Sequence, residues 1–192
     1  MNSLQANDSL CPRSLRYASR FSVCDVNIPN TPGMIPNILI NDNMTVTYRA
    51  IEQDEFAMMA QLEQQCFGAH ALPDFFFRQS YDCWPKGCFA AFQEQKMQAF
   101  LILAQSETQD IGWILSVAVS PELQGQGIGR KLLTQLLEQQ SYARVRLTVD
   151  PENPAALRLY QSLGFSKIAE EADYFGPNQT RWVMEYSPNL SI

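Results

Sequence analysis

Between Val117 and Arg130 the chain reads Val-Ala-Val-Ser-Pro-Glu-Leu-Gln-Gly-Gln-Gly-Ile-Gly-Arg, with glycines at 125, 127 and 129. An apolar run from Ile111 to Val119 leads into this loop and reads as a buried strand. A segment patterned on Ile128, Leu132, Leu133, Leu136 and Leu137 leads out, with Arg130, Lys131, Thr134, Gln135 and Glu138 on its other side. That spacing predicts a helix with one buried face. A helix N-terminus presents backbone N–H groups that lack intrahelical acceptors, together with the positive end of the helix dipole. Glycine lets such a backbone approach an anion closely and take up positive φ. Strand, glycine turn and helix therefore predict a seat for a phosphate or pyrophosphate.

Two common phosphate signatures do not fit. Counted from Gly125, the dinucleotide pattern G-x-G-x-x-G places Arg130 at its last position, and no glycine pair at Walker spacing precedes Lys131. What stands here is Gln124-x-x-Gly127-x-Gly129. It resembles the Q/R-x-x-G-x-G/A signature of the GNAT superfamily, the acetyl-CoA-dependent N-acetyltransferases, whose loop holds the coenzyme pyrophosphate. A glycine turn that merely joins a strand to a helix would look the same on this stretch alone. A second segment adds to the resemblance: Asn153, Ala156, Tyr160, Gly164 and Phe165 match the family block N-x-x-A-x-x-x-Y-x-x-x-G-F.

The 192 residues suit one domain with a sizeable core. Apolar content of 46% and charged content of 18% are those of a soluble globular chain, and no apolar run is long enough to span a bilayer. A net charge of −6 argues against a nucleic-acid binder and is compatible with a cationic substrate. The cysteines are Cys11, Cys24, Cys66, Cys83 and Cys88, scattered and without a C-x-x-C pair; with His70 as the one histidine, no metal site is expected. Reduced thiols in a cytoplasmic protein follow.

Residues 1–43 are rich in Asn, Ser and Pro, show no periodicity, and are expected to form a disordered extension. Arg13, Arg16 and Arg20 give its start a faint likeness to a transit peptide, and Met44 stands directly before the first good strand, as an alternative start would. The domain is expected over 44–192. Thr45–Ala50 alternates as a strand, and Asp54 is expected to cap a helix carrying Phe56, Met59, Leu62 and Cys66. A short helix through Phe75–Arg78 follows, then strands over 88–93, 97–104 and 111–119. After the glycine-capped helix come a strand over 145–149 and a helix begun by Asn153-Pro154 and ended by Gly164. Strands over 165–168 and 180–186 close the chain, separated by the turn-rich segment Asp173–Asn178.

The order β-α-α-β-β-β-α-β-α-β-β resembles the GNAT fold over about residues 45–187. The implied class is α/β (α+β), a mixed central sheet of about six or seven strands flanked by helices and splayed between the fourth and fifth. The resemblance implies acetyl-CoA as co-substrate, an amine as acceptor, direct attack in a ternary complex, and a monomer or homodimer that needs neither nucleic acid nor membrane. For the coenzyme it implies Gln124, Gly125, Gln126, Gly127, Ile128, Gly129 and Arg130 at the pyrophosphate. It also implies the backbone of Val117, Ala118 and Val119 along the pantetheine arm, with one N–H free for an oxyanion, and Asn153 nearby. Tyr160 matches the general acid for the departing thiolate; a phenol near 10 against a thiol near 8.5 makes that transfer uphill by only about 2 kcal/mol.

The base is the departure. Among ribosomal-protein alanine N-acetyltransferases, the nearest members in pattern, a glutamate twelve residues before that tyrosine serves. Here the position is Thr148. Glu63, His70, Asp150 and Glu52 are candidates expected at the surface or in turns, and Ser116 could relay a proton only through water. The acceptor surface is expected from Phe67–Pro73 and Tyr174-Phe175-Gly176. The latter resembles the aromatic loop of peptide N-terminal acetyltransferases; polyamines, amino acids or aminoglycosides are the alternative acceptors. A catalytically impaired acetyl-CoA-binding module is the competing class, resting on the missing glutamate.

Overall fold

The computed structural model describes residues 45–188; the expected extension over 1–43 lies outside them. The apolar runs form one seven-stranded sheet of β1 Val46–Ala50, β2 Cys88–Gln93, β3 Lys96–Gln105, β4 Ile111–Val119, β5 Arg144–Val149, β6 Ser166–Glu171 and β7 Arg181–Tyr186. Its order is β1-β2-β3-β4-β5-β7-β6. β4 and β5 run parallel, and every other pair is antiparallel. Four α-helices flank it: α1 Phe56–Phe67, α2 Asp74–Cys83, α3 Ile128–Gln139 and α4 Pro154–Ser162. None of the described helices is long and apolar enough to cross a membrane.

Both faces of the sheet are covered, which is why its central strands are apolar almost without a break. In β3, Ala99, Leu101 and Leu103 enter the layer beneath α3 and α4, while Phe100 and Ile102 enter the layer beneath α1 and α2. α3 contributes Ile128, Leu132, Leu133 and Leu136 to the first layer. α1 and α2 contribute Met59, Leu62 and Phe77 to the second, where Phe77 meets Phe100 edge-on at 5.7 Å.

Two local expectations need correction. Asp54 does not cap α1; it lies inside a one-turn 3₁₀ segment, Gln53–Glu55, that precedes it. Glu55 instead turns back to accept the N–H of Glu52 at 2.7 Å, and it also pairs with Arg49. The strand expected over 165–168 begins at Ser166 and reaches Glu171, while Phe165 drops into the core. β6 is an edge strand whose Ser166, Lys167, Ile168, Glu170 and Glu171 are exposed, so it has no hydrophobic alternation to read.

The sheet opens between its parallel neighbours. β5 pairs with β4 only at Ile111–Trp113. Beyond that, the register between β4 and β3 shifts: Ile114 faces Leu103, Ser116 faces Ile102, and Leu115 is the extra residue of a bulge. A bulge bends its strand and raises its local twist. β4 bends here, where its pairing with β5 stops, and the edge from Ile114 to Val119 faces a gap.

Leu132 is fully buried in α3, so Leu132→Ala should cost about 2–5 kcal/mol in denaturant unfolding. Phe75→Ala, at a side chain 62% exposed, should stay within about 0.5 kcal/mol. Equal losses at the two sites would contradict this packing.

Candidate active site

The glycines of the loop have two different jobs. Gly125 and Gly127 sit at φ 76° and 82°, where a side chain is strained, and Gly127 is the N-cap of α3. A Cβ built on either meets nothing within 4 Å, so both backbones border open space. At Gly129 a Cβ would stand 3.1 Å from Cγ2 of Val119; its smallness lets the first turn of α3 lie close to β4. The unpaired N–H groups of that turn are thereby brought beside the open edge of β4.

A cavity of about 300 Å³ occupies this corner. Val117, Val119, Gln124, Gly125, Gly127, Ile128, Gly129 and Arg130 line it, eight of the expected coenzyme residues. The other expected residues lie elsewhere. Ala118 points into the opposite layer, and the amide of Gln126 donates to the carbonyl of Glu122 at 3.1 Å. Asn153 is buried and caps α4 by accepting the N–H of Ala156 at 3.0 Å. Tyr160 is 1% exposed, stacked edge-on with Phe165 at 5.8 Å beneath the cavity wall. Burial pushes its phenol well above the usual tyrosine value. Two loop side chains are engaged internally: Gln124 donates to the Val119 carbonyl at 3.1 Å, and Arg130 to Ser162 Oγ at 2.5 Å.

Leu123 completes the wall with Ala155, Arg158 and Leu159 of α4, which were missed in the sequence. Their i, i+3, i+4 spacing is a face of α4, and that signal was available; which face looks into the cavity was not. A larger opening of about 740 Å³ lies between Tyr48, Trp84 and Tyr142, but no glycine-capped helix start lines it.

On the far side of the gap, beneath α1 and α2, lies a buried polar group. Glu63, expected at the surface, is 1% exposed. Its carboxylate accepts the Leu72 N–H at 3.1 Å, fixing the turn after α1, and stands 3.5 Å from the hydroxyl of Ser116 on the bulge. Across the gap, Thr148 is 2% exposed, with its hydroxyl unpartnered among the described residues. Arg181, which no pattern in the sequence singles out, is fully covered at the start of β7, with Asp150 Oδ2 at 3.5 Å and the Phe175 ring at 5.3 Å. His70 and Glu52 are exposed and outside this group. No cluster suited to a metal ion occurs among the described residues.

A mixed sheet parted between parallel strands, with a glycine-capped helix seated at the parting, defines a coenzyme-binding α/β domain. Residues 56–165 match the acetyltransferase (GNAT) family, and the chain belongs to it. It is 31% identical over 143 residues to the ribosomal protein bS18-alanine N-acetyltransferase of Escherichia coli K12, covering 67% of this chain and 86% of that protein. It is 32% identical over 155 residues to the mycothiol acetyltransferase of Thermomonospora curvata, covering 74% of this chain and about half, 51%, of that protein's length. The solved E. coli ribosomal-protein-S18-alanine N-acetyltransferase superposes with a TM-score of 0.65 at 26% identity, over 77% of this chain and 99% of that one.

Cys66, Cys83 and Cys88 form no disulfide among the described residues, and none lines the cavity. Burial pushes the Cys88 thiol up to about 12, whereas Cys83 is exposed. Because alkylation needs the thiolate, iodoacetamide at about pH 8 should modify Cys83 and spare Cys88 until the protein is unfolded. Peptide mass spectrometry reads both, and comparable labelling in the folded protein would contradict the packing of β2.

Proposed function

We propose that this protein transfers the acetyl group of acetyl-CoA to a primary amine in a ternary complex. The observation that carries the reading is the open edge of β4 beside the glycine-capped start of α3. A pyrophosphate suits the free N–H groups of that turn and the open space over Gly125 and Gly127. An amide-bearing arm suits the backbone of Val117, Ala118 and Val119 as a substitute strand. Arg158 adds a cation at the cavity wall. Bound there, acetyl-CoA supplies an activated thioester.

The protein's own groups then have the following tasks. A β4 N–H facing the gap donates to the thioester carbonyl oxygen, where negative charge grows. Tyr160 delivers its proton to the leaving sulfur as the bond from sulfur to the acyl carbon breaks. Glu63 takes the proton of the attacking amine through the Ser116 hydroxyl, 3.5 Å from its carboxylate, in place of the glutamate absent at Thr148. A peptide or protein N-terminal amine is the preferred acceptor. It is supported by 31% identity spanning 86% of the bS18-alanine enzyme and by the aromatic turn Tyr174-Phe175. A cytoplasmic setting goes with cysteines that form no disulfide among the described residues.

The reading is tested by thiol release from acetyl-CoA with a panel of amidated peptides and small amines. Tyr160→Phe should lower kcat by about 10²–10⁴-fold with the acetyl-CoA KM little changed. Gly127→Glu sets a carboxylate into the open space and should abolish acetyl-CoA binding by calorimetry; unchanged affinity would overturn the loop assignment. Tight coenzyme binding with no turnover on any amine would favour a binding module, the reading that Thr148 supports.

A further inference from the structure

Arg181 presents an unsatisfied cation on the acceptor side of the gap. Along β7, Trp182, Met184 and Tyr186 belong to the layer of α3 and α4, so alternation places Arg181, Val183 and Glu185 on the other face. Its Nη1 donates to the Thr180 carbonyl at 2.6 Å and lies 3.5 Å from Asp150 Oδ2. Nε and Nη2 are buried with no partner among the described residues. Those two nitrogens share one edge of the guanidinium, and their N–H bonds form the fork that grips a carboxylate with two parallel bonds.

Among the described residues no carboxylate pairs with that edge. Asp150 faces Nη1 and accepts the Glu152 N–H at 2.9 Å with its other oxygen. Glu185, on the same face, is bound to Arg146 at 2.7 Å. Thr148 pairs with Val183 in the sheet, which puts it about 7–8 Å from Arg181 on the shared face. A glutamate there would lie within reach of the fork; the threonine leaves it unpaired, and the Thr148 hydroxyl is likewise without a partner among the described residues. Burial pulls the Arg181 pKa down, as it does for a cation whose lost hydration is not replaced.

We propose that Arg181 anchors a carboxylate carried by the acceptor, so that the substrate is a primary amine bearing an acidic group, gripped by Nε and Nη2 once the Phe175 turn lifts. The inference rests on the acetyl-transfer reading of this cleft and narrows its acceptor. Two sources share the chemistry: a free amino acid, and a peptide with an acidic residue beside its N-terminus.

Matched probes separate them. Glycine, β-alanine and 4-aminobutyrate are compared with their amides in one arm, and Ala-Asp-Ala-amide with Ala-Asn-Ala-amide in the other. Each pair is followed by thiol release and by calorimetry on the CoA complex. The acid should exceed its neutral partner at least tenfold in kcat/KM in one arm, which identifies the source. Arg181→Gln and Arg181→Lys should raise the acid's KM at least tenfold and bring the ratio near one; Thr148→Glu, offering the fork an internal carboxylate, should do the same. The wild-type ratio stands whether or not a variant folds, and melting temperatures report on that. Turnover without acid preference in either arm, or a preference that survives Arg181→Gln, overturns the proposal and leaves acetyl transfer standing. Acid-selective binding that needs Arg181, with no turnover, supports Arg181 and overturns acetyl transfer. Neither turnover nor acid-selective binding overturns both.

Discussion

β4 has to satisfy backbone hydrogen bonds on two edges but finds a strand partner along the whole of only one. On the β3 side its ladder continues to Val119; on the β5 side pairing ends at Trp113. Buried N–H and C=O groups are rarely left unpaired, so an open interior edge is a demand for a ligand with amides of its own. The bulge at Leu115 lies where the ladder parts. Helix, loop and cap are arranged around that parting.

The glycine turn is matched to this edge by two constraints that glycine meets in different ways. Positive φ at Gly125 and Gly127 turns the chain from β4 into α3, and close contact at Gly129 lays the helix start against Val119. α4 closes the corner from the other side, held by Asn153 at its first turn and by the Arg130–Ser162 bond near its last. Tyr160 and Phe165 pack beneath it, so the proposed proton donor sits on a rigid floor.

The two faces of the gap differ in chemistry. The proposed coenzyme side combines apolar side chains and glycine backbone with Gln124, Arg130 and Arg158. The acceptor side gathers Glu63, Ser116, Thr148, Arg181 and Asp150 within a buried or half-buried zone. There a carboxylate accepts the Leu72 N–H of the turn it fixes, while the cation opposite has only part of its donor set engaged. Such polar groups are costly inside a fold unless they serve recognition or chemistry.

Much of this was legible in the chain itself. Apolar periodicity and turn residues give nine of the eleven main elements nearly to their ends, because an amphipathic face is a local record of burial; α2 runs on to Cys83, and β6 to Glu171 since its edge position leaves it polar. The glycine turn and the Asn153 cap were readable because φ and capping depend on neighbours a few residues away. The buried state of Glu63, its approach to Ser116 across 53 residues, the wall formed by Arg158 and the open fork of Arg181 were not. A charged residue usually faces water, and nothing within a few positions of Glu63 or Arg181 says otherwise. Only the packing of α1 on the bulged strand, and of β7 on β5, brings those groups together and removes the water that would have satisfied them.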